Sequence, residues 1–133
     1  MIKKKALITG IAGQDGAYLS KLLLEKNYKV FGIIRSKSKN SLWRLEKLKV
    51  NNQIKLIKIN LSNFKAILKL IKKEKFDEIY NLASSSSVAE SFNNPRKYLI
   101  NNSEIVINIL ESIRLVSNNI KFFQVSSSEM YGN

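Results

Sequence analysis

The 133 residues contain neither cysteine nor histidine. Within them, disulfides, thiolate chemistry, zinc sites of the usual ligand types and any histidine-based triad are excluded, and acid–base work falls to carboxylates, tyrosine, lysine or hydroxyls. No apolar run reaches the about 18 residues of a membrane span. The basic start "MIKKKALITG" passes straight into a glycine turn, with no signal-peptide core or small-residue cleavage site. A cytoplasmic protein without a membrane partner is expected. Acidic residues are scarce as well, 10 Asp and Glu against 23 Lys and Arg, which leaves a formal charge of +13. Clustered cations would suit nucleic acid. Here the lysines are scattered over every predicted element and greatly outnumber the arginines, which favours a solvated lysine-rich surface and makes a nucleic-acid partner the weaker reading. An anionic ligand benefits under either.

Against these absences stand 44% hydrophobic residues, enough for the single core of one domain. Short β-branched runs alternate with longer helical patterns, the signature of an α/β domain with a parallel sheet. Strands are predicted over 5–9, 29–34, 54–59, 78–82 and 121–126. The segment 17–26 carries Leu19, Leu22 and Leu23 on one face, and 64–73 repeats the pattern with Ile67, Leu68 and Ile71, so both read as crossover helices. A shorter amphipathic piece, 41–49, holds Trp43. In the fourth crossover Asn94 can cap, and Pro95 can start, a helix whose Leu99, Ile105, Val106, Ile109, Leu110 and Ile113 cover more than one stripe. Either that helix meets the sheet on one side and a partner surface on the other, or it offers one wide stripe to the core.

The stretch "ALITGIAGQDGAYLSKLL" sets Gly10, Gly13 and Gly16 between a buried strand and an amphipathic helix. Glycines there let the chain turn tightly and bring backbone close to a pyrophosphate, while the free N–H groups and dipole of the helix start favour its negative charge. The alternative is an ordinary glycine-rich turn. Asp15 reads as a helix cap rather than a ligand group, because a carboxylate aimed at a pyrophosphate would repel it. At the end of the second strand an acidic residue would bind the adenosine ribose hydroxyls of NAD. "FGIIRSKSKN" offers Arg35, Lys37 and Lys39 instead. That favours a 2′-phosphate, hence NADP over NAD, unless Arg35 is merely surface charge.

With "WRLEKL", "EIYNLASSSSVAESFNNP", "ILESIR" and "FFQVSSSEMYGN" added to the glycine stretch, the chain resembles the extended short-chain dehydrogenase/reductases. Within them it is similar to the GDP-mannose 4,6-dehydratase family, along nearly its whole length. "GQDGAYL" and "SSSEMYG" are the most specific pieces; the middle motifs are shared with sugar-nucleotide epimerases. The resemblance implies a Rossmann-like doubly wound sheet of order 3-2-1-4-5, an NADP cofactor, GDP-mannose or a related sugar nucleotide as substrate, and homo-oligomers assembled through long helices. It implies a lyase reaction in which hydride leaves C4 for NADP, the C5 proton is removed, the C6 hydroxyl departs as water and the hydride returns to C6.

Residue by residue, the resemblance assigns the cofactor to Gly10, Ile11, Ala12, Gly13, Gln14, Asp15 and Gly16, to Arg35, to Asn60 and Leu61 near the adenine, and to Leu82, Ala83, Ser84, Ser85 and Ser86. Ser86 and Glu129 are also expected at the substrate. Ser127 matches a Ser or Thr that hydrogen-bonds the reacting C4 oxygen, and Glu129 matches the carboxylate that takes the C5 proton, chemistry that suits an acidic hydrogen beside a transient ketone. Read without the resemblance, Glu129 is an exposed carboxylate at a strand end. Asn102 matches an Asn or Asp of the fourth-crossover helix, which is equally compatible with a structural role.

Four positions depart from the family pattern: Ala12 for Thr, Ser36 for the second of two arginines, Asn60 for Asp and Ser85 for Gln. Each weakens a polar contact to the cofactor. The family's Tyr-x-x-x-Lys pair, sixth strand and substrate domain have no counterpart in these residues, so the expectation is an incomplete Rossmann domain over 1–133 that is inactive alone. Another sugar-nucleotide epimerase or dehydratase, or a noncatalytic NADP-binding module, is the alternative.

Overall fold

The computed structural model describes residues 3–35, 39–85 and 88–126. Five strands, β1 (Lys5–Thr9), β2 (Lys29–Ile34), β3 (Lys55–Lys58), β4 (Glu78–Asn81) and β5 (Lys121–Gln124), form one sheet. All its pairings are parallel, and the strand order is β3-β2-β1-β4-β5, as the resemblance implies. Burial on both faces explains why the central strands are apolar without alternation. In β1, Leu7 turns to one face, where it joins Phe31, Ile33 and Ile79 beneath the helices α3 (Phe64–Glu74) and α5 (Pro95–Val116). Ala6 and Ile8 turn to the other, against α1 (Gln14–Glu25) and α2 (Lys39–Lys47). Each fully buried Leu, Ile or Phe is worth about 1.5–3 kcal/mol, and Phe31 adds an edge contact to Phe76 at 5.1 Å between ring centres.

The helix boundaries follow local chemistry. α3 is capped by Asn63, whose side chain accepts from the Ala66 N–H at 3.1 Å, and ends at Lys75 in the left-handed region, φ 54°. α1 starts three residues before the predicted segment, because its first turn consists of loop residues without apolar periodicity. A 3-10 turn at Asn51–Gln53 and the short α4 (Val88–Asn93) escape a reading by periodicity for the same reason. Two expected caps are corrected. Pro95 does open α5, but Asn94, at φ −139° and ψ 61°, makes no side-chain cap hydrogen bond. Asp15 lies inside the first turn of α1; the N-cap is Gly13, which has no side chain to offer.

The expectation that α5 is apolar on more than one side holds in a specific way. Ile105, Ile109 and Ile113 are buried in the core, whereas Leu99, Ile100, Ile107 and Leu110 are 44–71% exposed. Two polar residues share the buried face: the Asn108 amide donates to the Leu61 carbonyl at 3.0 Å, and the Ser112 hydroxyl donates to the Asn108 carbonyl.

Candidate functional site

Between β1 and α1 the chain makes its tightest turn. Gly10 sits at φ +68°, and a Cβ there would lie 2.8–2.9 Å from the backbone of Leu82 and Ala83. At Gly16 a Cβ would lie 2.4 Å from the Gly10 carbonyl oxygen, so α1 can press against the loop only through a glycine. The first-turn N–H groups of a helix have no intrahelical partner, and with Gly13 as N-cap no side chain covers those of α1. This helix start lies at the carboxyl end of β1, where the strand order reverses between β1 and β4. An open parallel sheet binds ligands at such a point.

A cavity of about 510 Å³ opens there. Its wall brings together Gly10, Ala12 and Gly13 of the loop, Arg35 after β2, Asn60 and Leu61 after β3, and Leu82, Ala83, Ser84 and Ser85 after β4. These ten are site residues expected from the sequence, gathered from four separate stretches. Ile11 is different: its side chain is fully buried and fills the space over Gly32, leaving only its backbone for a ligand. Gln14 and Asp15 are exposed in the first turn of α1, and Gly16 is buried behind the loop. None of these four lines the cavity. Ser86, Ser127 and Glu129 lie outside the described residues.

Polar contacts hold these walls in register. The Thr9 hydroxyl donates to Asn81 Oδ1 at 2.5 Å and accepts from the Ala83 N–H at 3.1 Å, while Asn81 Nδ2 donates to Gln124 Oε1 at 2.8 Å. One chain of hydrogen bonds, buried at Thr9 and Asn81, therefore ties the ends of β1, β4 and β5 to the segment that enters the cavity wall. Asn102 clamps the Ser85 peptide from both sides, accepting from its N–H at 2.8 Å and donating to its carbonyl at 3.3 Å. The structural reading of Asn102 is the one observed. Asn60 turns its side chain to the Ser62 N–H at 3.1 Å.

Sequence reasoning missed part of the wall. Ile33, Ile34, Ile59 and Ile105 supply apolar surface, and Ser41, Ser62 and Asn101 supply polar atoms. The isoleucines read as core, and nothing marks them as cavity residues until the strands are placed. Asn101 was hidden by its neighbour Asn102. Arg44 of α2, inside the quoted "WRLEKL", donates from Nη1 to the Ala12 carbonyl at 3.4 Å, a placement that the motif does not reveal.

Two other features stand apart from this site. A larger cavity, about 720 Å³, lies at the opposite, amino-terminal end of the strands, near the C-terminal ends of α3 and α5. Lys72, Lys75 and Lys121 border it, but those helix ends present carbonyl groups, and the lysines offset that negative field rather than await an anion. At the same end Tyr28 and Tyr80 both donate to Glu78, at 3.1 and 2.6 Å. Burial first, and then the hydrogen bonds to Glu78, push both phenols above their ordinary pKa.

The same sheet recurs in the UDP-Glc/GlcNAc 4-epimerase of Campylobacter jejuni, with a TM-score of 0.83 and 30% identity over 97% of this chain and 39% of that one. The UDP-glucose 4-epimerase of Bifidobacterium longum, solved with NAD+ and UDP, shares the fold at a TM-score of 0.83 and 24% identity, covering 97% of this chain and 38% of its own. Sheet order, glycine turn and cavity thus define a Rossmann-like domain of the sugar-nucleotide epimerase and dehydratase class. Residues 7–133 match the family model described as GDP-mannose 4,6 dehydratase. The GDP-mannose 4,6-dehydratase of Yersinia enterocolitica is 39% identical over 136 residues, covering 97% of this chain and 37% of that protein, and the human one is 38% identical, covering 96% and 36%. The chain belongs to the GDP-mannose 4,6-dehydratase family, and it spans a little over a third of the length of these relatives.

Proposed function

We propose that this chain is the cofactor-holding part of a GDP-mannose 4,6-dehydratase, a cytoplasmic lyase that forms GDP-4-keto-6-deoxymannose and binds NADP in preference to NAD. The observation that carries this reading is the cavity over the glycine turn, walled by Arg35 and by no carboxylate among the described residues. The N–H groups at the start of α1 would hold the pyrophosphate. Arg35 would pair with the 2′-phosphate, and Asn60 and Leu61 would border the adenine. NADP, when bound, supplies a hydride acceptor that returns the hydride within the same turnover. Ser127 would hydrogen-bond the C4 oxygen of the sugar. Glu129 would take the C5 proton and return one to the departing C6 hydroxyl, with Ser86 beside the sugar.

The 133 residues contain no tyrosine followed by lysine four positions later. By resemblance that pair deprotonates the C4 hydroxyl, so residues 1–133 would be an incomplete Rossmann domain that binds cofactor without completing the turnover. The exposed side of α5, with Ile100, Ile107 and Leu110 on one stripe, supports assembly with a second copy through this helix. Calorimetric titration of the purified chain with NADP and with NAD tests the central reading. Saturable binding with NADP the tighter ligand is expected, together with no product from GDP-mannose. Absence of binding by both dinucleotides at millimolar concentration would sink it.

A further inference from the structure

From the surroundings of Arg44 we infer that this residue, together with Arg35, reads the 2′-phosphate of the bound dinucleotide and sets the preference for NADP. The inference rests on the cofactor reading above and adds a specificity residue: Arg44 lies in the "WRLEKL" stretch that carries the resemblance, but neither the motif nor the resemblance gives it a role at the cofactor. Arginine is the rarer cation here: Arg35, Arg44, Arg96 and Arg114 are the only four in a chain with nineteen lysines. Arg114 is engaged by Glu111 at 2.6 and 2.8 Å, and Arg96 is exposed in the first turn of α5. The remaining two stand beside the cavity.

Arg44 is half-buried, and its guanidinium keeps donors that the described residues do not use. Its guanidinium carbon lies 4.5 Å from the centre of the Trp43 ring, a cation–π contact. One of its five N–H donors reaches the Ala12 carbonyl, at a long 3.4 Å. No ion pair to Arg44 forms among the described residues. The acid nearest in sequence, Glu46, is two positions away and so faces another side of α2. Ser41, one turn earlier on the same face, lines the cavity together with Ala12, Gly13 and Arg35. A half-buried guanidinium with donors to spare, braced by an aromatic ring and a loop carbonyl, is therefore held beside the wall of an anion-binding cavity.

A dinucleotide with its pyrophosphate on the start of α1 directs its adenosine ribose toward the end of β2. Arg35 stands there, and α2 begins four residues later. Two guanidiniums then flank the ribose, and a phosphate monoester on its 2′ oxygen can be met in bidentate fashion by a planar fork, which a lysine ammonium cannot do. Arg44 thereby compensates for Ser36, which stands where the family has a second arginine.

The test is calorimetric titration of the 133-residue chain and of Arg44→Gln with 2′,5′-ADP, 5′-AMP, NADPH and NADH. Glutamine removes the charge and the guanidinium fork, and leaves a shorter polar amide on the same stem. The affinities for 2′,5′-ADP and NADPH are expected to fall about tenfold or more, and those for 5′-AMP and NADH to change less than about twofold. Arg44→Lys, which keeps the charge and serves if the glutamine variant fails to fold, should show the same selective loss at smaller size. Equal weakening of all four ligands would make Arg44 a loop brace and overturn the inference, as would unchanged affinities. If the unmodified chain binds none of the four, the cofactor reading itself fails, a result distinct from the other two.

Discussion

Thr9 shows how one side chain serves both stability and site. Its hydroxyl accepts from the Ala83 N–H and donates to Asn81, with the Thr9 and Asn81 side chains almost fully buried. Valine has the same shape without the oxygen, so Thr9→Val would strand the Ala83 N–H and loosen Asn81 beside an apolar core. Leaving such groups unpaired costs about 1–3 kcal/mol. The expected result is a lower urea midpoint with an unchanged m-value, and weaker NADP binding because the segment after β4 loses its tether. An unshifted midpoint would mean that the relay contributes nothing net. Tyr28 and Tyr80 act on stability alone. Their folded pKa values lie above those of free phenols, so the stability they contribute is fully present below about pH 10. It is lost as pH rises from there through the folded values. In a spectrophotometric titration at 295 nm, Tyr28 and Tyr80 should ionise late, together with unfolding, and Tyr80→Phe should shift the alkaline unfolding limb. Five tyrosines titrating together before any loss of structure would contradict this.

At the scale of an element, α5 is the most informative. Ile105, Ile109 and Ile113 recur every four residues and meet α3 and the sheet, while Ile100, Ile107 and Leu110 form a second apolar stripe in solvent. If that stripe pairs two copies, light scattering should give twice the mass of the chain at micromolar concentration. Ile107→Glu with Leu110→Glu should return it to a monomer, with little change in melting temperature beyond that due to lost association. A monomeric parent chain would refute pairing through this face. The rest of α5 explains why its sequence was harder to read than that of α3. α3 has a single apolar stripe between an Asn cap and a left-handed Lys75, and its predicted span of 64–73 differs from the observed one by a single residue. In α5 the apolar positions exceed what one core can cover, and periodicity does not say which stripe faces inward. Asn108 and Ser112, polar by composition, lie on the buried side because the Leu61 carbonyl is there to be satisfied.

Across the whole molecule, the parallel sheet was legible because each central strand is buried on two faces and therefore announces itself as an apolar run. The position of the glycine turn was legible for a different reason: Gly10 and Gly16 stand where no Cβ fits. Alternation of strand and helix, the glycine turn and the absence of an acid after β2 were thus decided by the sequence alone, since each rests on local sterics or on residue identity. The strand order was supplied by resemblance, because periodicity carries no information about which strands are neighbours. Only the tertiary structure decided that loops from four distant stretches converge on one cavity, that Thr9, Asn81 and Gln124 connect, and that Arg44 reaches the glycine loop from 32 positions away. These are contacts between parts of the chain that meet only when β1 is flanked by β2 and β4, and a linear pattern cannot encode a distance that folding creates.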